Sequence, residues 1–403
     1  MKRILIYILS TILLSSSIYA ITYYSHIEDT ARLLNIAFCV PVWGILLLFF
    51  PKSLKIKSFS FIMVSFSILW MSFWGILYNS ITQILPTLVR YSLYLLCACF
   101  AYTYVLRYNN KSFLRTIRCF LYPFIIVSVF WALYEVVTGQ VEYLNGAYRL
   151  SGSFKHHQLA AALFYYVLMI LYGGMYLKPH YSVGRLLVLL ILASLLFATQ
   201  SRALLAISLI VALLYVYTGV KSAKVFVITM CITGLVFVIA YYVVFFTEAL
   251  PRFKESFTMD EGEYDNSTMT RIWIVENTLE NIQGLKLLTG IGIGGFELFY
   301  KNITGEGEVA AHNNYLLFYA EGGLPALVSY ILFQVAFVRD VFISVRHNPT
   351  IINIVTFFLF LGITLFSFML NNYYFYCSEI IVWLFYGAYY AERKRSRMSI
   401  PRR

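Results

Sequence analysis

The sequence predicts an all-α, polytopic membrane protein with about 12 transmembrane helices and one large external loop carrying short amphipathic helices. Three observations carry that prediction. Of 403 residues, 60% are hydrophobic and 12% charged, which leaves too little polar side chain to cover a soluble domain of this size. Uncharged runs of roughly 20 residues, the length that crosses a bilayer, recur along the whole chain. Lys and Arg gather in alternate gaps between those runs.

Taken in order, the expected spans are approximately 4–23, 33–50, 59–78, 81–105, 113–137, 157–177, 184–200, 203–219, 224–246, 314–337, 350–370 and 373–391. The first has a basic start followed by small residues, as a signal peptide does; eleven further spans favour an uncleaved first helix. Residues 1–247 thus hold nine spans and a short external loop, 138–156. A long polar loop, 248–311, follows, then three spans over 312–391 and a basic tail, 392–403. The alternate basic gaps include Lys52, Lys55 and Lys57; Arg107, Lys111, Arg115 and Arg118; Arg339 and Arg346; and the tail from Arg393. They put both termini in the cytoplasm. The net charge of +12 is spread over seven separate gaps, which argues for topology and against a nucleic-acid footprint. The six cysteines fall in apolar segments without paired spacing, so they read as small buried hydrophobes.

The long loop holds eleven of the nineteen acidic residues, including the run from Met259 to Asn266. Its spacing fits no calcium loop, and a solvated acidic turn is the simpler reading. Residues 270–288 (TRIWIVENTLENIQGLKLL) have apolar residues at helical spacing, predicting one amphipathic helix over the membrane face. The stretch TGIGIGGF satisfies G-x-G-x-x-G at Gly290, Gly292 and Gly295. A dinucleotide site needs a preceding strand and a following helix in a parallel sheet, and neither is available. A tight turn that brings backbone close to a ligand or a neighbouring helix fits better.

External arginines stand against the positive-inside bias and are informative for that reason. Arg202 falls where the seventh span turns into the eighth. Arg271 begins the amphipathic stretch, and Arg149 precedes the sixth span. Arg90 lies about nine residues, roughly 13 Å, into the fourth, where a charge is costly without a polar cavity or partner. Each alone reads equally as a snorkelling or salt-bridged residue. Together they describe an outward cationic face suited to an anionic group on a lipid, with arginine's planar fork matched to phosphate.

The stretch AAHNNYLLFYAEGG, 310–323, opens the tenth span with a titratable ring. On a regular helix, His312 and Glu321 would lie half a turn out of phase and about 13 Å apart, so they cannot act as a direct pair. Glu321 then caps or packs at the Gly322-Gly323 bend. His312 is either a capping and structural residue or a general base or phosphate contact at the membrane surface.

The ordered set ATQSRALLAI, TRIWIVENTL, GIGIGGF and HNNYLLFYAEGGLPALVSYIL, with RLSGSFKHHQLAAAL before it, resembles the O-antigen ligase and polymerase superfamily over roughly residues 145–335. The resemblance implies a glycosyltransferase of the bacterial inner membrane, with its site facing the periplasm and requiring neither metal nor cofactor. Its donor would be a glycan on undecaprenyl pyrophosphate. Motif match puts Arg202 and Arg271 on the pyrophosphate and His312 at the reaction centre, whereas Arg90 and Arg149 rest on the charge argument. Glu135 and Glu379 are reserve bases. The acceptor would be another glycan for a polymerase or lipid A core for a ligase, with room for a chain-length regulator protein as partner. The ligase pattern carries Gly, Thr or Tyr where this chain has Ala326, a departure that leans toward polymerase. A lipid-linked oligosaccharide flippase would also want a cationic outward cavity, but with deeper charges and internal symmetry.

Overall fold

The computed structural model describes residues 1–24, 40–48, 56, 58–144, 147–154, 157–176, 183–199, 201, 204, 207–208, 266–305, 310–368 and 376–398. Their elements are α1 (Lys2–Tyr24), α2 (Phe59–Tyr78), α3 (Ile81–Tyr108), α4 (Asn110–Thr138), β1 (Glu142–Leu144), β2 (Ala147–Arg149), α5 (His157–Tyr176), α6 (Val183–Ala198), α7 (Asn266–Asn281), α8 (Lys286–Thr289), α9 (Phe296–Thr304), α10 (Asn314–His347), α11 (Ile351–Phe366) and α12 (Tyr376–Met398). Among the described residues, α2, α3, α4 and α10 are long and apolar enough to cross a membrane. The expected eighth and ninth spans and the acidic run from Met259 lie almost wholly outside the described residues.

Cap chemistry sets several boundaries. The Ser58 hydroxyl accepts the Phe61 N–H at 3.1 Å and starts α2. Gln83 Oε1 accepts the Ser80 N–H at 3.1 Å at the entry to α3. Expected spans 59–78 and 81–105 accordingly appear as α2 and α3. One expectation needs correction. The stretch 270–288 is not one helix: α7 ends at Asn281, Gly284 turns the chain at φ +60°, and α8 follows. Within the small loop 138–156, β1 and β2 pair antiparallel with Glu142 opposite Arg149.

The chain divides into two compact units, Met1–Phe124 with Arg271–Arg403, and Ile125–Thr270. In the first, α12 packs along α3, and α10 along α2. A Cβ on Gly387 of α12 would collide with the Ala98 carbonyl, and Cys97, Ala98, Cys99 and Ala101 are all buried. Small residues let these helices approach closely, which is where van der Waals packing stabilises helices in lipid. Beside that crossing, the Trp383 ring lies 3° from parallel to Tyr94 and 4° from parallel to Phe333, at centroid distances of 6.3 and 5.8 Å. In the second unit α5 packs on α6. Cys119 of α4 is exposed rather than buried; the small, weakly polar thiol is tolerated on the outer face of an apolar helix as well as in its core.

Candidate functional site

In the first unit the chain from α8 to α9 is the TGIGIGGF turn, and its position follows from a break in α10. Gly323 has φ +64° and ψ −165°, and Pro325 follows without an N–H. The carbonyls of Ala320 and Glu321 therefore lose their ordinary i+4 donors. The turn supplies replacements: Ile291 N–H donates to the Ala320 carbonyl at 2.9 Å and Gly292 N–H to the Glu321 carbonyl at 2.9 Å. On its other side, Ile293 N–H donates to the Met71 carbonyl of α2 at 3.0 Å. Asn79 Nδ2 donates to the carbonyls of Ile291 and Ile293 at 3.0 and 3.2 Å. Trp70 Nε1 donates to the Leu288 and Gly322 carbonyls.

Only glycine fits this clasp. Gly292 has φ +82°, and a Cβ there would come within 2.5 Å of Gly75 Cα. Gly290 and Gly294, also at positive φ, would strike the backbone of Glu321 and Gln83. The Gly294 N–H donates to Glu321 Oε1 at 2.9 Å, the Phe296 N–H also bonds that carboxyl, and Arg90 of α3 acts on it electrostatically. Every N–H from Gly290 to Phe296 thus has a protein acceptor. No phosphate cradle is left, and the turn packs helices together.

His312 sits immediately before α10. Asn313, in extended conformation, is the N-cap: its Oδ1 accepts from Tyr315 N and Leu316 N at 2.8 and 3.1 Å. Asn314, fully buried, ties the helix start to the end of α11 through its N–H to the Ser367 carbonyl at 2.9 Å and its Nδ2 to Ser367 Oγ at 3.0 Å. The two amides thus serve the backbone and a neighbouring helix. His312 does neither. It has φ +49°, a left-handed conformation that non-glycine residues avoid. Its Nδ1 is buried with no hydrogen-bond partner.

Arg271 lies on α7. One helical turn along, Ile274 is buried in an apolar cluster with Ile291, Phe296, Ala311 and Leu316, so the packing that seats α7 also fixes Ala311 beside His312. Burial, and then the Arg271 guanidinium, hold the His312 ring below the usual histidine pKa of 6.5. Both disfavour imidazolium, leaving neutral imidazole at physiological pH.

Of the five expected site residues, the structure brings Arg271 to His312 and puts Arg90 by Glu321. Arg202 lies outside the described residues. The reserve base Glu379 is buried on α12.

In the second unit, Arg149 ends β2 and is buried. Its Nη1 stands 2.7 Å from His157 Nε2 at the start of α5, while its Nε and Nη2 are buried without hydrogen-bond partners. A guanidinium can only donate, so Nε2 accepts and the imidazole proton sits on Nδ1. Glu135 of α4, the other reserve base, accepts from Ser151 Oγ and Gly152 N at 3.0 Å each, holding the turn after β2. Leu150 N–H donates to the Ala198 carbonyl at the end of α6 at 3.0 Å. Sequence reasoning passed over His157; its spacing of eight from Arg149 in RLSGSFKHH was the available signal.

Apolar helices of membrane-crossing length, one of them preceded by His312, mark a membrane protein. Residues 186–331 match the family model described as O-antigen ligase, a stretch that takes in Arg202, Arg271 and His312. Over that stretch the chain is similar to the O-antigen ligase family, which supports the superfamily resemblance and suggests an enzyme of ligase or polymerase type. No curated protein matches the chain.

Proposed function

We propose that the protein is an inverting glycosyltransferase that polymerises undecaprenyl-pyrophosphate-linked repeat units of O-antigen or a related surface polysaccharide at the periplasmic face of the inner membrane. One observation carries the reading. A histidine with an unpartnered ring nitrogen, in a strained backbone conformation and biased toward its neutral form, lies beside an arginine inside the stretch that matches the family. In the reaction, an acceptor sugar hydroxyl attacks the anomeric carbon of the donor. His312 takes the hydroxyl proton as the new glycosidic bond forms. The bond to the pyrophosphate oxygen breaks with its electron pair, and undecaprenyl pyrophosphate leaves. Arg271 and Arg202 supply fixed positive charge for that leaving group, so no metal ion is required. Arg90 and Arg149 are weaker phosphate contacts. The two unpartnered nitrogens of Arg149 support its candidacy, because a buried guanidinium gains most from an acceptor.

Ligation of the finished glycan to lipid A core is the second reading, favoured by the family description, whereas Ala326 favours the polymerase. Glycan banding from a deletion strain separates them: single repeats mean polymerase, and long chains left on undecaprenyl lipid mean ligase. Arg202→Lys keeps the charge but loses the fork, so chain extension is expected to stop while the protein still inserts. Full-length glycan from cells holding only that variant would sink the pyrophosphate role.

A further inference from the structure

The end of the first unit away from His312 holds a second polar site. Asp340 of α10 stands roughly 25 Å beyond the Gly323 kink at 1.5 Å per residue. There a cavity of about 660 Å³ opens between the start of α2, the last turns of α3 and α10, and the end of α12. Its lining carries three cations, Arg393, Lys394 and Arg397, against one carboxylate, Asp340. Arg393 already engages Asp340, and Lys394 lies over the Tyr102 ring at 5.8 Å. Net positive charge remains in the cavity. Two hydroxyl residues line its wall, Tyr390 and Ser58, the N-cap of α2; behind the wall, buried Ser60 Oγ bonds Tyr390 at 2.7 Å and Tyr386 at 2.8 Å. The positive end of the α2 dipole adds to the field.

The cavity continues into an apolar track. Phe59 lines it and is 55% exposed. From there Ile62, Phe66, Leu69, Phe73 and Ile76, all exposed, follow at alternating spacings of three and four, one stripe along α2. A free anion would use the cations and ignore the stripe. A phospholipid uses both, its phosphate among the cations and one acyl chain along Phe59, Ile62 and Phe66. Basic pockets between membrane helices are suited to anionic headgroups of the cytoplasmic leaflet, and the basic tail begins at this place. We infer that this cavity is a binding site for an anionic phospholipid, separate from the His312 site and independent of the reaction assigned to it.

The test uses the purified full-length protein and native mass spectrometry, with phosphatidylglycerol and phosphatidylcholine of identical acyl chains as probes. Wild type is expected to retain phosphatidylglycerol, and Lys394→Gln/Arg397→Gln to retain it about tenfold less. Lys301→Gln, an exposed cation on α9, should behave as wild type, and glycerol phosphate in equal amount should not displace the lipid. If the double variant unfolds, Arg397→Gln at its exposed position is used alone, with at least a threefold loss expected. Equal retention of phosphatidylglycerol by wild type and pocket variant overturns the inference. So does phosphatidylcholine held as well as phosphatidylglycerol, or displacement by glycerol phosphate, which would mark a plain anion site.

Discussion

At the scale of single residues, His312 concentrates the chemistry because the two asparagines that follow it build the helix start. Asn313 caps the helix through its Oδ1, and Asn314 clamps it to Ser367 through its N–H and Nδ2. His312→Asn tests its role with little backbone cost, since asparagine tolerates the left-handed conformation. Loss of a general base predicts a rate lower by about 10² to 10⁴ with an unchanged melting temperature, measured on chain extension in vitro. Rates near wild type would make the histidine structural. The pH dependence has a definite sign. Burial and Arg271 lower the pKa of His312 below 6.5, so the base form is present at neutral pH and is lost only as pH falls through that lowered value. The acid limb of the rate should lie below 6.5. Arg271→Gln removes one of the two causes, so the ring's titration, followed by NMR, should move upward.

Among the elements, the glycine turn from α8 to α9 controls where that histidine stands. It fills carbonyls opened by the Gly323–Pro325 break and rests on α2 through Gly75 and Asn79. Gly292→Val meets both a positive φ and the α2 backbone, with a cost of roughly 3 kcal/mol or more; a fall in thermal stability with loss of turnover is expected in the purified protein. Trp70→Phe keeps the ring and deletes its bonds to the Leu288 and Gly322 carbonyls, with a milder cost of about 1–2 kcal/mol. The G-x-G-x-x-G spacing was legible in the sequence, as was the idea that it lets backbones approach. Its acceptor was not: Glu321 sits 27 positions from Gly294, and hydrogen bonds at that separation leave no local pattern. The helix expected over 270–288 failed for a related reason. Gly284 interrupts it, yet the apolar spacing on either side continues, so periodicity alone could not place the break.

For the whole molecule, the metal-free proposal makes the plainest prediction. Turnover by the purified enzyme should survive chelators at concentrations that strip divalent cations, since guanidinium groups neutralise the departing diphosphate. Activity that collapses under chelation and returns with one added metal would refute it. Composition and hydropathy determined the membrane class, and cap residues and apolar lengths determined helices such as Phe59–Tyr78 and Ile81–Tyr108, because both depend on local chemistry read along the chain. The electrostatic reach of Arg271 to His312, the burial of Arg149 against His157, the seat of the glycine turn on Glu321 and the cationic cavity at Arg393 were decided only by tertiary structure. Each joins residues distant in sequence or in different elements, and what fixes them is packing and desolvation in three dimensions, which no one-dimensional pattern encodes.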